Sequence, residues 1–565
     1  MGRFVVGWLL PLVTAVACGG PARPVEGPAE EASRRVTLSV VGTNDLHGHV
    51  RALPVFAGYL RALRARRAAD GGVVLLDGGD MFQGTLASNL LEGAPVVEAY
   101  EALGYDAVTI GNHEFDYGPV GPRPTPSEPG DDPRGALRAL AAAADFPFLS
   151  ANLLREADGA RVDWDNVTPS TLFERSGVRV GVIGVTTEET LTTTLSANVV
   201  GLAMAPLAEA IAREASELRA RGADVVLVAA HAGGRCEAFE DPFDLSSCEV
   251  DQEIFEVARR LPEGAVDVIV GGHTHRGVAH VVNGIPIIES YAYGRAFGRV
   301  DLVVEPTADR VVDVRVHPPR DLCAEGAPDD GDCVPGTYEG RPVEPDDAVA
   351  GILAPAVANA RAARERSLGV RVAETIGRSR VDESALGNLF TDLMRAARPD
   401  ADVALTNGGG LRADLPAGPL TYGALYQAMP FDNRFATVRL TGGQLASIVA
   451  RNLRDEGSFF SLSGVRARAT CQDGTLAVTL EREGGEPIGA DEPLILVTTD
   501  FLATGGDGAF AALGEGAIEV EDGVPVRDAM AEALEARAGE LRPDALHDPA
   551  HPRVRYPGER PVRCE

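Results

Sequence analysis

Asn112-His113-Glu114-Phe115-Asp116 follows directly on the apolar run Ala107–Ile110, so an expected strand ends on a turn that carries an amide, an imidazole and carboxylates. Four other segments repeat the arrangement: Thr43-Asn44-Asp45-Leu46-His47, Asp77-Gly78-Gly79-Asp80, Ala230-His231 and Gly271-Gly272-His273-Thr274-His275. Each closes an apolar run with oxygen or nitrogen donors. In open α/β sheets binding sites gather outside the carboxyl ends of strands, so loops far apart in sequence can meet there. Carboxylates suit hard divalent ions and imidazoles favour zinc, manganese and similar metals. The mixed set therefore points to two divalent metal ions (Zn, Mn or similar), with the Asp80 carboxylate as the candidate bridge between them.

Working outward, the expected strands are Val36–Val41, Val73–Leu76, Ala107–Ile110, Val178–Val185, Val225–Val228 and Val266–Val270. Leu207, Ile211, Ala215 and Leu218 recur at helical spacing, as on a helix that covers a sheet. The Pro- and Asp-rich stretch Val120 to Arg134 reads as a surface insertion. A Gly- and Asp-rich stretch near Ala324–Gly336 marks the end of a first domain, and Asp346 to Ser367 reads as an Ala-rich helix that links it to a second. In that second unit Leu386, Leu389, Phe390, Leu393 and Met394 form one apolar helix face. Strands are expected near Val403–Leu405 and Ala436–Leu440, a helix near Gln444–Asn452, and a Gly-rich loop at Thr504–Gly508.

A chain of 565 residues is too long for one ordinary core. With 45% hydrophobic and 24% charged residues it has the composition of a soluble globular protein. A formal charge of −31 argues against a nucleic-acid polymer as partner, because phosphate backbones are bound by clustered cations. The chain has no Lys, a bias that genome composition explains, so an anionic substrate depends on metals and individual arginines. Residues 1–18 read as a secretion signal: Arg3, the apolar run Phe4–Val16, then Ala15-Val16-Ala17-Cys18-Gly19. It resembles a bacterial lipoprotein signal, which implies membrane attachment through a lipidated Cys18 and a periplasmic or cell-surface location. An ordinary cleaved signal is the alternative. Residues 19–35 read as a flexible tether. Six further cysteines suggest disulfides in an exported protein. Short separations favour Cys236–Cys248 and Cys323–Cys333, leaving Cys471–Cys564, although six cysteines allow 15 pairings.

Taken in order, Asp45-x-His47, Gly79-Asp80, Gly111-Asn112-His113-Glu114, His231 and Gly272-His273-x-His275 resemble the calcineurin-like metallophosphoesterases. The resemblance implies an α/β fold: an N-terminal four-layer metallophosphoesterase β-sandwich flanked by helices, with a second α+β substrate-binding domain. It assigns Asp45, His47, Asp80 and His275 to one metal, and Asp80, Asn112, His231 and His273 to the other. Asp77 is left structural. His113 is implied as the catalytic group, oriented by Asp116, and His49, His280, His317, His547 and His551 match no motif position.

Leu386-Gly387-Asn388-Leu389, Thr406 to Arg412, Met429-Pro430-Phe431 and Asp500 to Gly508 resemble the 5′-nucleotidase C-terminal domain. That likeness implies a nucleotide substrate: Phe431 and Phe501 sandwich the base, Asp507 contacts the ribose hydroxyls, Arg380 and Arg412 face the phosphate, and Asn407 contacts base or substrate. Arg378 competes with Arg380 for its place. The implied domains are 36–340, a linker helix 341–367 about which the second domain rotates, and 368–565. The implied activity is hydrolysis of nucleoside 5′-phosphates to nucleoside and phosphate, with UDP-sugars or other nucleotides as further candidate substrates. The alternatives are a 2′,3′-cyclic-nucleotide phosphodiesterase, a sulfur-compound hydrolase of the same superfamily, and a non-catalytic nucleotide-binding lipoprotein.

Overall fold

The computed structural model describes residues 35–564 except 122, 127, 306–309, 330, 515, 522, 523 and 538. The expected signal, Cys18 and the tether up to residue 34 lie outside the described residues. The strands of the two large N-terminal sheets are β1 (Val36–Thr43), β2 (Gly71–Asp77), β3 (Ala107–Thr109), β4 (Phe148–Leu149), β5 (Val167–Thr168), β6 (Ser170–Arg175), β7 (Val178–Thr186), β8 (Val225–His231), β9 (Val268–Val270), β10 (Gly277–Val282), β11 (Ile285–Ser290), β12 (Ala296–Glu305) and β13 (Arg310–Asp321). They form two sheets, in the order β13-β12-β1-β2-β3-β4-β5 and β10-β11-β9-β8-β7-β6. From β1 to β5 neighbouring strands run parallel, as do β7, β8, β9 and β11.

Side-chain alternation along each strand explains why the sheets stack. Leu38 and Val40 of β1, Val74 and Leu76 of β2, Val180 and Val182 of β7, and Val225 and Leu227 of β8 meet in one core between the sheets. Their neighbours point outward. Val73 and Leu75 join the helices α1 (Leu53–Arg67), α2 (Ala94–Leu103) and α3 (Gly135–Ala143). On the far side Val226, Val228 and Ala230 join α4 (Leu207–Ala220) and α5 (Glu253–Arg260), the former burying Leu207, Ile211, Ala215 and Leu218. Strands covered on both faces read as unbroken apolar runs, which is how the sequence presents them. The result is the expected helix–sheet–sheet–helix stack. Strands β4, β5, β6, β10, β11, β12 and β13 escaped the sequence reading; β13 is an edge strand, rich in charge and carrying two prolines, that buries little.

Helix α6 (Asp347–Glu365) begins at Asp346, whose side chain accepts from the amides of Ala348 and Val349. Its Val349 and Leu353 belong to the N-terminal core, whereas Ala360 belongs to the core that follows. Helix α7 (Ala385–Ala397) buries Leu386, Leu389, Phe390, Leu393 and Met394 and is capped by Ser384. Strands β14 (Val403–Asn407), β15 (Phe435–Thr441), β16 (Phe460–Ser463), β17 (Pro493–Thr499) and β18 (Ile518–Val520) form a sheet in the order β16-β14-β17-β15-β18. Helix α8 (Gly442–Arg454) opens with a capping box between Thr441 and Gln444, and α9 (Val526–Ala536) packs beside α7. Cys236–Cys248, Cys323–Cys333 and Cys471–Cys564 are disulfide-bonded. Among the described residues no helix is long and apolar enough to cross a membrane.

Candidate functional site

The loops after β1, β2, β3 and β9, with the last residue of β8, meet at one end of the two sheets. Their backbone is strained there. Asp45, His47, Asp80, His273 and His275 have φ of 49°, 47°, 56°, 82° and 58°. A non-glycine residue in this left-handed region costs on the order of 1 kcal/mol or more and persists only where the surroundings hold it. Five such residues facing one another mark a site rather than a run of ordinary turns.

One group of donors comprises Asp45, His47, Asp80 and His275, and a second comprises Asp80, His231 and His273; within each, the ligand atoms lie within 4.8 Å of one another. Asp80 is in both. Asn112 joins the second group, its Oδ1 lying 2.9 Å from His231 Nε2. The seven residues are thus gathered in the two sets read from the sequence. Whether the cage fits cations is answered by where the outer faces of these side chains go. His47 Nδ1 donates to Gln83 O (2.7 Å), His231 Nδ1 donates to Gly78 O (2.9 Å), and Asn112 Nδ2 donates to Thr193 O (3.3 Å). These bonds leave Nε2, Nε2 and Oδ1 as acceptors turned inward, and the Nε2 atoms of His47 and His275 stand 3.0 Å apart. Converging lone pairs with donors committed elsewhere are what a metal site requires.

Electrostatics agree. Burial works against the Asp80 carboxylate, but His231 and His113 outweigh it and hold Asp80 well below the usual carboxylate range. Burial lowers the His47 imidazole to about 3. It also works against His231, where Asp80 and Asp45 prevail and raise the imidazole to about 10. A cation and a proton compete for that Nε2, so metal binding releases the proton.

Several supporting residues were not found by sequence reasoning. The Glu114 carboxylate accepts from the amides of Gly111 (2.6 Å), Asp80 (2.9 Å) and Met81 (2.7 Å), and so clamps two ligand loops together. Asn44 donates to Asp45 Oδ2, and Glu289 accepts from Gly234 N and Thr274 Oγ1. Asp77 accepts from Thr43, Gly79 and Tyr100 and lies outside both donor groups. Burial and the nearby Asp80 push Glu114 up to about 8. Replacing Glu114 with Gln turns one amide acceptor into a donor facing N–H groups. We expect metal affinity to fall about 10–100-fold, as when groups supporting metal ligands are lost; metal titration of the purified variant checks it, and unchanged affinity would make Glu114 a bystander.

His113 lies beside the cage, its ring centroid 5.2 Å from that of His47. Its Nδ1 is 2.6 Å from Asp116 Oδ2, and Thr194 Oγ1 donates to the other Asp116 oxygen at 2.8 Å. Burial opposes the His113 proton, but Asp116 and Asp80 overcome it and raise the imidazole to about 9.

The six C-terminal candidates make separate contacts on or beside the Gly-rich loops. Asn407 Nδ2 donates to Asp507 Oδ2 at 2.7 Å. Asp507 is exposed and left-handed (φ 49°), and Gly506 before it lies against the Phe501 ring. The carbonyl of Arg380 abuts Gly408. The Arg412 guanidinium stands 5.6 Å from the centroid of the half-buried Phe431 ring. Arg378 and Arg380 are both exposed, and Arg378 donates to Leu411 O. Gln83 Nε2 donates to Pro430 O, joining this region to the metal loops.

Comparison with known proteins agrees with this layout. Residues 38–277 match the calcineurin-like phosphoesterase family, and residues 362–515 match the 5′-nucleotidase C-terminal domain. Protein UshA of Escherichia coli K12 is 28% identical over 517 residues, covering 85% of this chain and 88% of that protein. A 5′-nucleotidase of Vibrio cholerae is 26% identical, covering 85% and 86%. The fold resembles the crystal structure of a 5′-nucleotidase precursor from Thermus thermophilus, with a TM-score of 0.64, 23% identity and coverage of 93% of this chain and 100% of that one. The chain belongs to the calcineurin-like phosphoesterases that carry a 5′-nucleotidase C-terminal domain.

Proposed function

We propose that the protein hydrolyses nucleoside 5′-phosphates to nucleoside and phosphate with two divalent metal ions, and takes UDP-sugars or other nucleotides at the same site. The observation that carries this reading is the pair of donor groups sharing Asp80, with the His113–Asp116 unit beside them. Bound in the cage, the cations supply Lewis acidity to the phosphoryl oxygens and to the attacking water. The chain does the rest. Asp45 and Asp80 provide the negative charge that holds the metals. His113, with Nδ1 committed to Asp116, has Nε2 free to hold a proton for a phosphoryl or leaving-group oxygen. Arg380 and Arg412 receive the phosphate through planar guanidinium groups. Phe431 and Phe501 stack on the base, Asp507 takes the ribose hydroxyls, and Asn407 orients Asp507. Stacking is worth about 1–3 kcal/mol per base and tolerates any base, so the reading predicts a broad base range.

In this reading 36–340 is the metal domain, 341–367 the linker helix and 368–565 the substrate domain. The three disulfides suit an exported protein. Lipidation at Cys18 belongs to the same proposal, and the mass of the mature N-terminus tests it. Phosphate release is measured across nucleoside mono-, di- and triphosphates, UDP-glucose and 2′,3′-cyclic nucleotides, before and after chelation and metal add-back. We expect release from 5′-monophosphates that chelation abolishes and metal restores. Turnover of cyclic nucleotides alone, or turnover indifferent to chelation, would overturn the reading.

A further inference from the structure

Three consecutive carbonyls in the turn Met429-Pro430-Phe431 are each taken by a side chain. Arg527 Nη1 donates to Met429 O (3.3 Å) and to Phe431 O (3.2 Å), and Gln83 Nε2 donates to Pro430 O between them (3.3 Å). Arg527 lies near the start of α9 and is only 4% exposed. Two further donors are committed: Nε donates to the Tyr422 hydroxyl at 3.1 Å and Nη2 to Asp432. The guanidinium stacks 4.3 Å from the centroid of the Tyr426 ring. The far end of the turn is held once more, where the amide of Val526, the first residue of α9, donates to Asn433 O at 2.7 Å. Burying a guanidinium is costly unless its N–H groups are satisfied, and here two of its four hydrogen bonds hold main chain.

We propose that Arg527 is a positioning residue for base recognition: it fixes the turn so that the Phe431 ring stands where a nucleobase stacks. This rests on the reading of Phe431 given above and adds a residue that touches no substrate. The same turn is tied toward the cage, since Gln83 also accepts from His47 Nδ1 through its carbonyl. Base subsite and metal ligands therefore share a short hydrogen-bonded path, with Arg527 at its substrate end. Lysine at 527 keeps the charge but loses the planar fork that reaches two carbonyls and a hydroxyl together.

The test compares AMP with ribose 5-phosphate, which has the same sugar and phosphate but no base, on the metal-loaded full-length enzyme. Arg527→Lys is expected to raise KM for AMP about tenfold, within the range of one lost stacking contact, while kcat and the KM for ribose 5-phosphate stay within about twofold. Equal losses on both substrates, or an unchanged KM for AMP, would overturn the proposal. Should Arg527→Lys fail to fold, Tyr422→Phe, which removes one partner of the guanidinium, is read by the same split: a larger KM rise for AMP than for ribose 5-phosphate supports it, and no split overturns it. Phe431→Ala separates the two levels. If it leaves the KM for AMP unchanged, base stacking itself is wrong and the inference falls with it; if it raises that KM while Arg527→Lys does not, only the role of Arg527 falls.

Discussion

Asp80→Asn is expected to bind one metal ion or fewer per chain and to lose about 10³-fold or more in kcat/KM, the equivalent of about 4 kcal/mol of transition-state stabilisation. The argument starts from the shared position of this carboxylate in both donor groups. Asparagine keeps the shape and retains an oxygen that can accept from the His113 amide, which now donates to Asp80 Oδ1 at 2.9 Å. It also tolerates the left-handed backbone that residue 80 adopts at φ 56°. What it removes is charge. His231 Nε2 lies 3.3 Å and His47 Nε2 3.7 Å from Asp80 Oδ2, so both imidazoles lose the anion they face. Elemental analysis after dialysis reads metal content independently of activity, and circular dichroism confirms the fold. Two tightly held metals in this variant would remove Asp80 from the shared position and leave the cations to be held by the other residues of the two donor groups.

The candidate ligands could be read from the sequence because each sits just beyond a short apolar run, and a parallel sheet covered on both faces turns such runs into strands that end together. The candidates Asn112, His231 and the pair His273 and His275 follow this pattern although they lie far apart along the chain. The residues that aim them were not. Glu114 acts on amides of two different loops, and Gln83 acts through its carbonyl, which any residue possesses. Glu114 stands in the motif Gly111 to Glu114, but its residue type does not reveal which amides it clamps, and Gln83 leaves no residue-type signal. The left-handed conformations of Asp45, His47, Asp80, His273 and His275 were equally hidden, because no glycine marks these positions and tertiary contacts impose the strain. Helix α7 was readable from its apolar face; its Ser384 cap shows only in the structure. Strand β13 was not, since an edge strand buries little and so carries little apolar pattern. Arg527 escaped for a related reason: a buried arginine in a chain whose cations are all arginine does not stand out until its partners are seen.

His113→Ala should separate metal binding from turnover. Its imidazole is next to the candidate ligand Asn112 in sequence and beside His47 in space, but it belongs to neither donor group. Removing it leaves every inward-facing donor in place, so two metals should remain bound. The loss falls on the proton held at Nε2. With Nδ1 committed to Asp116 and Asp116 fixed by Thr194, the imidazole is oriented and kept protonated well above its ordinary range, the state needed to donate to a phosphoryl or leaving-group oxygen. A positioned general acid of this kind contributes about 10²–10⁴-fold, and kcat should fall by that much while metal content is unchanged. Asp116→Asn should move kcat in the same direction by less, because the imidazole stays but loses the charge that orients and protonates it. The discriminating comparison uses a substrate with an activated leaving group, such as p-nitrophenyl phosphate, whose departing oxygen needs no proton. If His113 serves the leaving group, His113→Ala will be far less impaired on that ester than on AMP; if it serves the phosphoryl oxygens, both substrates will lose alike. Full turnover of AMP by the alanine variant would exclude His113 from the chemistry altogether and leave the metal cage to act alone.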